Sequence, residues 1–180
     1  ARLNVATDEK QAIGRAAARM VQPNQVVILD GGTTAVQLAR HLPSALRATI
    51  VTHSPSVAVE LSNHRELEVI LIGGKLFKHS VVSVGAAAIE AISQVRADFY
   101  FMGVTGIHPQ YGLTTGDYEE AHVKRALSGS AAETIVLASS EKLNAVSAHQ
   151  IAPVSEVTGM IVDASVKSKL LAPFARAGLT

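Results

Sequence analysis

Short runs of aliphatic residues recur along the chain, each ended by a polar or glycine-rich break and followed by apolar positions at helical spacing. Before the first run, Thr7 or Asp8 is placed to cap a helix whose apolar positions are Ala12, Ile13, Ala16, Ala17 and Met20, ending near Pro23 and Asn24. Val26 to Leu29 reads as a short interior strand broken by Asp30, Gly31 and Gly32. Thr34 with Gln37 then has capping-box spacing ahead of Ala35, Leu38, Ala39 and Leu42, which predicts a helix ending near Pro43. Thr49 to Thr52 predicts a second strand, and Ser54 with Pro55 has the N-cap and N1 pattern of a helix through Val57, Ala58 and Leu61 to Asn63. Leu67 to Ile72 is the next strand, closed by Gly73 and Gly74. A loop carrying Lys75, Lys78 and His79 leads into an Ala-rich helix from Gly85 to Val95. Asp98 to Met102 is a further strand, followed by a loop containing Gly103, Gly106 and Gly112. Asp117 and Glu120 are spaced to start a helix through Val123, Ala126 and Leu127. Thr134 to Ala138 and Gly159 to Val162 complete the strands, residues 139–148 read as irregular, and a terminal helix is interrupted or begun by Pro173.

Strands separated by helical segments predict an α/β fold with an open, mostly parallel, helix-covered sheet. The 180 residues fit one domain, 1–180, with no repeat or linker. Tryptophan is absent, so the core is built from Val, Ile, Leu and Ala, the usual filling of such sheets. The formal net charge of +1 is interspersed, and no basic stripe marks a DNA-reading surface. Absence of cysteine excludes disulfides, thiolate nucleophiles and Cys-based metal sites. No apolar run reaches membrane-spanning length and no signal-peptide pattern opens the chain, so a cytoplasmic location is expected. A chain that starts at Ala1 without methionine and is entering a helix by Asp8 reads as part of something longer.

In open parallel sheets, ligands sit beyond the carboxyl ends of the strands. The polar punctuation falls there: Asp30 to Thr34, Thr52 to Ser54, Gly73 to Lys75, Gly103 to Gly106, Ser139 to Lys142 and Asp163. At 30–34, glycines and two hydroxyls precede a helix start, a donor cluster suited to a phosphate or carboxylate. The plainer reading is a strand-to-helix turn in which Thr34 only caps. The stretch is neither a Walker loop nor a Gly-x-Gly-x-x-Gly fingerprint, and no cofactor is expected. Glu120 and Lys124 have the i, i+4 order of a helix-supporting ion pair, or else face a pocket as contacts to a sugar hydroxyl and an anion. Lys142 is either a solvated loop lysine or a phosphate contact. The seven histidines show no zinc spacing, and Ser139-Ser140 lacks a nucleophile elbow.

Taken together these residues resemble the effector-sensing domain of the DeoR family of bacterial transcriptional regulators. The resemblance runs through Glu9-Lys10, Ile13, Ala16-Ala17, Leu29-Asp30-x-Gly32-Thr33-Thr34, Val51-Thr52-x-Ser54, Val69 to Gly74, Gly85, Asp98-x-x-Phe101-Met102-Gly103-Val104-x-Gly106-Ile107, Gly112-x-Thr114 and Glu119-Glu120-Ala121-x-Val123-Lys124-Arg125. It implies a fold like that of ribose-5-phosphate isomerase and the CoA transferases, with Gly32-Thr33-Thr34 matching their phosphate-binding turn. It also implies a winged helix-turn-helix domain upstream that alone contacts DNA, a homo-oligomer, and a phosphorylated sugar or related metabolite as effector. The residues expected around that effector are Asp30, Gly32, Thr33, Thr34, Thr52, Gly74, Gly103, Gly106, Thr114, Glu120, Lys124 and Lys142. The Ala-rich helix 85–95 is the expected place of self-association. Three positions depart from the family pattern: His53 stands for the usual Asn, Ser139-Ser140-Glu141-Lys142 for the usual Asp-x-Ser-Lys, and Asn144 for a common Gly. The competing reading is a sugar-phosphate isomerase or related lyase, with Glu120 as base and Lys124 or Lys142 as electrostatic stabiliser. Against it, the segment after the Asp98 strand lacks the carboxylates that such isomerases place there.

Overall fold

The computed structural model describes residues 2–179. In chain order its elements are α1 (Arg2–Ala18), β1 (Val26–Leu29), α2 (Thr33–Arg40), β2 (Ala48–Thr52), α3 (Pro55–Leu61), β3 (Leu67–Leu71), β4 (Lys75–Phe77), β5 (Val82–Val84), α4 (Ala86–Ser93), β6 (Ala97–Gly103), β7 (Gly106–His108), β8 (Gly112–Thr115), α5 (Tyr118–Gly129), β9 (Ala131–Leu137), β10 (His149–Ala152), β11 (Gly159–Ile161) and α6 (Ser168–Arg176). Six strands form one sheet in the order β11-β9-β6-β1-β2-β3, every neighbouring pair parallel. The small antiparallel sheets β10-β8-β7 and β4-β5 are set apart from it.

Alternation along the central strands sorts the core into two layers. Val27, Leu29 and Phe101 pack with Ile13, Ala17, Leu38 and Val57 under α1, α2 and α3. Ile28, Tyr100 and Met102 pack with Ala88, Ile92, Val123 and Leu127 under α4 and α5. Helix cover on both faces is why β1 and residues 99–102 of β6 are continuous apolar runs. Asp30, one residue beyond β1, has the parity of Ile28 and so turns toward the α5 layer. The chain leaves β1 for one side of the sheet through α2. It leaves the adjacent β6 for the other side through α5, so the crevice at their carboxyl ends is a topological switch point.

Several boundaries differ from the sequence expectation. Helix α1 starts at Arg2, so Thr7 and Asp8 lie inside it rather than capping it, and it stops at Ala18, short of Pro23. Helix α2 is capped by Gly32, not by Thr34. Gly32 has φ 96°, a left-handed backbone that a β-branched residue resists, and no side chain closes the helix end. Residues 75–84 and 106–115 are hairpins rather than loops, because three- and four-residue strands held by cross-strand pairing leave little periodicity to read. Residues 149–152 pair with β8. The Ser54 and Asp117 caps are present as expected, accepting from the amides of Val57 and Glu120. Pro173 sits inside α6.

Candidate functional site

The carboxyl ends of β1, β6 and β9 border a cleft of about 170 Å³, smaller than a drug-sized pocket and suited to a small metabolite. Its floor is organised by Asp30, 1% exposed. The Gly31 amide (2.9 Å) and His53 Nε2 (2.7 Å) donate to Oδ1; Tyr100 OH (2.8 Å), the Gly103 amide (2.9 Å) and Lys124 Nζ (2.6 Å) donate to Oδ2. Burial pushes the carboxyl upward. The Lys124 charge and the hydrogen bond and charge of His53 outweigh it and hold Asp30 well below the usual carboxylate range. Five donors saturate two oxygens, so Asp30 borders the cleft as the group that ties β1, β2, β6 and α5 together, with no acceptor left for a ligand. The same charge keeps the Tyr100 phenol protonated, its pKa raised by burial first and by Asp30 second.

One wall is the start of α2. Its first internal hydrogen bond runs from the Val36 amide to the Gly32 carbonyl, so the amides of Thr33, Thr34 and Ala35 form the open, electropositive end of the helix. Lys10 from α1 and Lys142 after β9 line the same cleft. Glu120 and Lys124 from α5, one helical turn apart, line it as well. Lys124 also donates to the Gly103 carbonyl at 2.8 Å. Glu120 is raised above its ordinary value: burial is the main cause and the Asp30 charge adds to it, while Lys124 and a hydrogen bond from Ser80 pull against it. Ser80 comes from the tip of the β4-β5 hairpin, which closes over the cleft. Val82 of that hairpin presses on Gly31, where a Cβ would meet its Cγ1 at 2.5 Å. His53 links the hairpin to the floor, since its Nδ1 reaches the Ser83 carbonyl at 3.2 Å. The histidine thus supplies Asp30 with a donor from the position where Asn was expected. The cleft lining therefore combines free amides and ammonium groups with the Glu120 carboxylate and several hydroxyls, a pattern that fits an anionic, hydroxylated metabolite.

Of the residues expected here, Asp30, Gly32, Thr33, Thr34, Gly103, Glu120, Lys124 and Lys142 border the cleft. Four do not. Thr52 is fully buried, its Oγ1 accepting from the Ser54 amide at 3.1 Å. Gly74 packs against the Val84 carbonyl and Ala88. Gly106 lies against the Ala145 backbone, and Thr114 Oγ1 accepts from the Ser147 amide at 2.9 Å, so both hold residues 145–147 against the β7-β8 hairpin. Sequence reasoning did not place Lys10, Ser80 and Thr115 at the cleft, and it reached Thr105 and Ser139 only within the stretches Gly103 to Gly106 and Ser139 to Lys142. It also passed over Tyr100, whose hydroxyl between Phe99 and Phe101 was the available signal of a buried polar partner.

A model of the "DeoR C terminal sensor domain" matches residues 5–164. Among relatives, the chain is 36% identical over 162 residues to the HTH-type transcriptional repressor GlcR of Bacillus subtilis, covering 90% of this chain and 62% of that protein. It is 31% identical over 172 residues to the HTH-type transcriptional regulator GolR of Listeria innocua, covering 96% and 68%. The chain thus spans roughly two thirds of the length of these relatives. Among solved structures it resembles ribose 5-phosphate isomerase A from Methanocaldococcus jannaschii, with TM-score 0.55, 17% identity and coverage of 75% of this chain and 53% of that one. It also resembles eIF2B beta from Chaetomium thermophilum, with TM-score 0.61, 12% identity and coverage of 93% and 53%. At such identities the likeness is one of fold.

Proposed function

The chain belongs to the family of DeoR C-terminal sensor domains, and from that premise we propose that it senses a phosphorylated sugar or related metabolite for a DNA-binding transcriptional repressor. The relatives are named as transcriptional repressors and regulators, and this is a regulator's domain rather than an enzyme. The observation that carries the ligand class is the meeting of the uncapped α2 terminus with Lys10 and Lys142 in one cleft that Glu120 also lines. In this reading the phosphoryl group lies on the amides of residues 33–35, and the hydroxyls face Glu120 and Thr115. DNA is read by a domain outside this sequence.

An effector shifts operator binding only if it binds the DNA-competent and DNA-incompetent states unequally. Helix α1 gives such a difference a route, because it supplies Lys10 and also packs on α2 through Gly14. Self-association through α4, whose Ala86 and Ala87 are exposed, is part of the same proposal. The test is operator titration of the full-length regulator with a panel of sugar phosphates. A coupling of about 1 to 3 kcal/mol changes operator affinity by roughly 5- to 150-fold at saturation. Indifference of operator affinity to every metabolite that fills the cleft refutes the sensing role.

A further inference from the structure

At the anion end of the cleft, a protein carboxylate already uses groups that an anionic ligand needs. Ser139 is 3% exposed and borders the cleft, yet its hydroxyl donates to Glu141 Oε1 at 2.7 Å. Lys142 Nζ lies 4.0 Å from the same oxygen. Glu141 itself stands outside the cleft lining with half its side chain exposed, so water is open to its carboxylate. Burial raises its pKa, but the Ser139 hydroxyl, its own backbone amide, Lys142 and Lys10 together hold it below the ordinary value. One hydroxyl, one amide and two ammonium groups are the partners a bound phosphate would take.

We propose that Glu141 is an internal competitor for the anion end of the cleft, which a ligand's phosphoryl group displaces from Ser139 and Lys142 on binding. The proposal rests on the anionic-effector reading above and adds the residue that sets how tightly the anion is held. Glu141 weakens anion binding without contacting the ligand, and so narrows the preference for a phosphorylated metabolite over its uncharged form. Because the competing contacts are partly exposed, the effect is modest, about two- to fivefold in affinity.

The test titrates the chain with inorganic phosphate and follows the amide resonances of Thr33 and Thr34 by NMR. Four proteins are compared: wild type, Glu141→Gln, Lys142→Gln and the double variant. Glu141→Gln keeps the shape and removes the charge. It is expected to tighten phosphate about two- to fivefold, and this gain is expected to shrink in the Lys142→Gln background, where one of the two competed partners is gone and Ser139 remains. Unchanged or weaker phosphate binding in Glu141→Gln, with the spectrum of a folded protein, overturns the competition and leaves the anion site standing. A gain that persists in full in the Lys142→Gln background overturns the competition for Lys142. If phosphate shifts the amides of neither wild type nor Glu141→Gln, the anion site itself is refuted, and the competition with it.

Discussion

Replacing Asp30 with Asn tests whether the floor of the cleft is one electrostatic unit. Asn keeps one acceptor oxygen and presents an NH2 in place of the other. Whichever way the amide turns, it sets its own donors against at least two of the five that converge on Asp30, and it leaves the Lys124 ammonium without its carboxylate 2.6 Å away. Breaking a buried pair by removing one partner costs about 3 to 5 kcal/mol. For a protein of this size that corresponds to a fall in Tm of about 6 to 20 °C. Urea denaturation followed by circular dichroism measures the difference, and repeating it across pH tests its origin. Because the folded carboxyl is held below its unfolded value, its contribution is fully present above about pH 4 and is lost as the pH falls further. The gap between wild type and Asp30→Asn should therefore be flat from pH 5 to 8 and shrink in acid. Adding Lys124→Met should recover part of the loss, because the stranded charge is removed with its partner. A gap below about 1 kcal/mol at pH 7, or one that does not shrink in acid, refutes the hub.

Gly14→Ala should cost about 1 to 3 kcal/mol in urea despite the helix propensity of alanine, because its Cβ would meet the backbone of Leu38 at 2.7 Å and of Gln37 at 2.8 Å; a stabilised variant contradicts the close α1-α2 packing. His53→Leu should cost about 1.5 to 3 kcal/mol by removing a buried donor from an ionised carboxylate, whereas His53→Asn should lose less; equal costs would mean that the donor to Asp30 does not matter. Glu120 titrates higher folded than unfolded, so its ionisation makes stability fall as pH rises above the ordinary carboxylate value. Glu120→Gln should accordingly gain on wild type between pH 4 and 7, and a pH-independent difference would count against its buried, Asp30-facing setting.

The parallel strands and their order of appearance were legible because strands covered on both faces must be apolar throughout, as Val26–Leu29 is. The Ser54 and Asp117 caps were legible because capping is local chemistry. Gly32-Thr33-Thr34 and Lys142 were placed on one side of the sheet by the rule that loops after parallel strands share an edge, whereas Glu120 and Lys124 entered as one of two readings of their helical spacing and through the family resemblance. What escaped was tertiary. Ser80 reaches the cleft only through a hairpin whose strands have three residues each, and Lys10 only through the docking of α1 on α2. The role of Asp30 changed for a related reason. A lone acid after a strand reads as a ligand contact until its five donors, drawn from residues 31, 53, 100, 103 and 124, are brought around it. Thr52, Gly74, Gly106 and Thr114 share the punctuation of the site residues but turn inward, a difference that spacing does not carry.

Selection of an anionic head at the α2 terminus is tested by calorimetry with matched sugars and sugar phosphates. Thr33 is exposed and its side chain makes no hydrogen bond among the described residues, so Thr33→Val should leave Tm within a degree or two while deleting a donor beside the anion. At least one phosphorylated sugar should bind more tightly than its unphosphorylated partner, and Thr33→Val should narrow the difference at unchanged Tm. Equal affinity for every sugar and its phosphate, in wild type and variant alike, would contradict that selection.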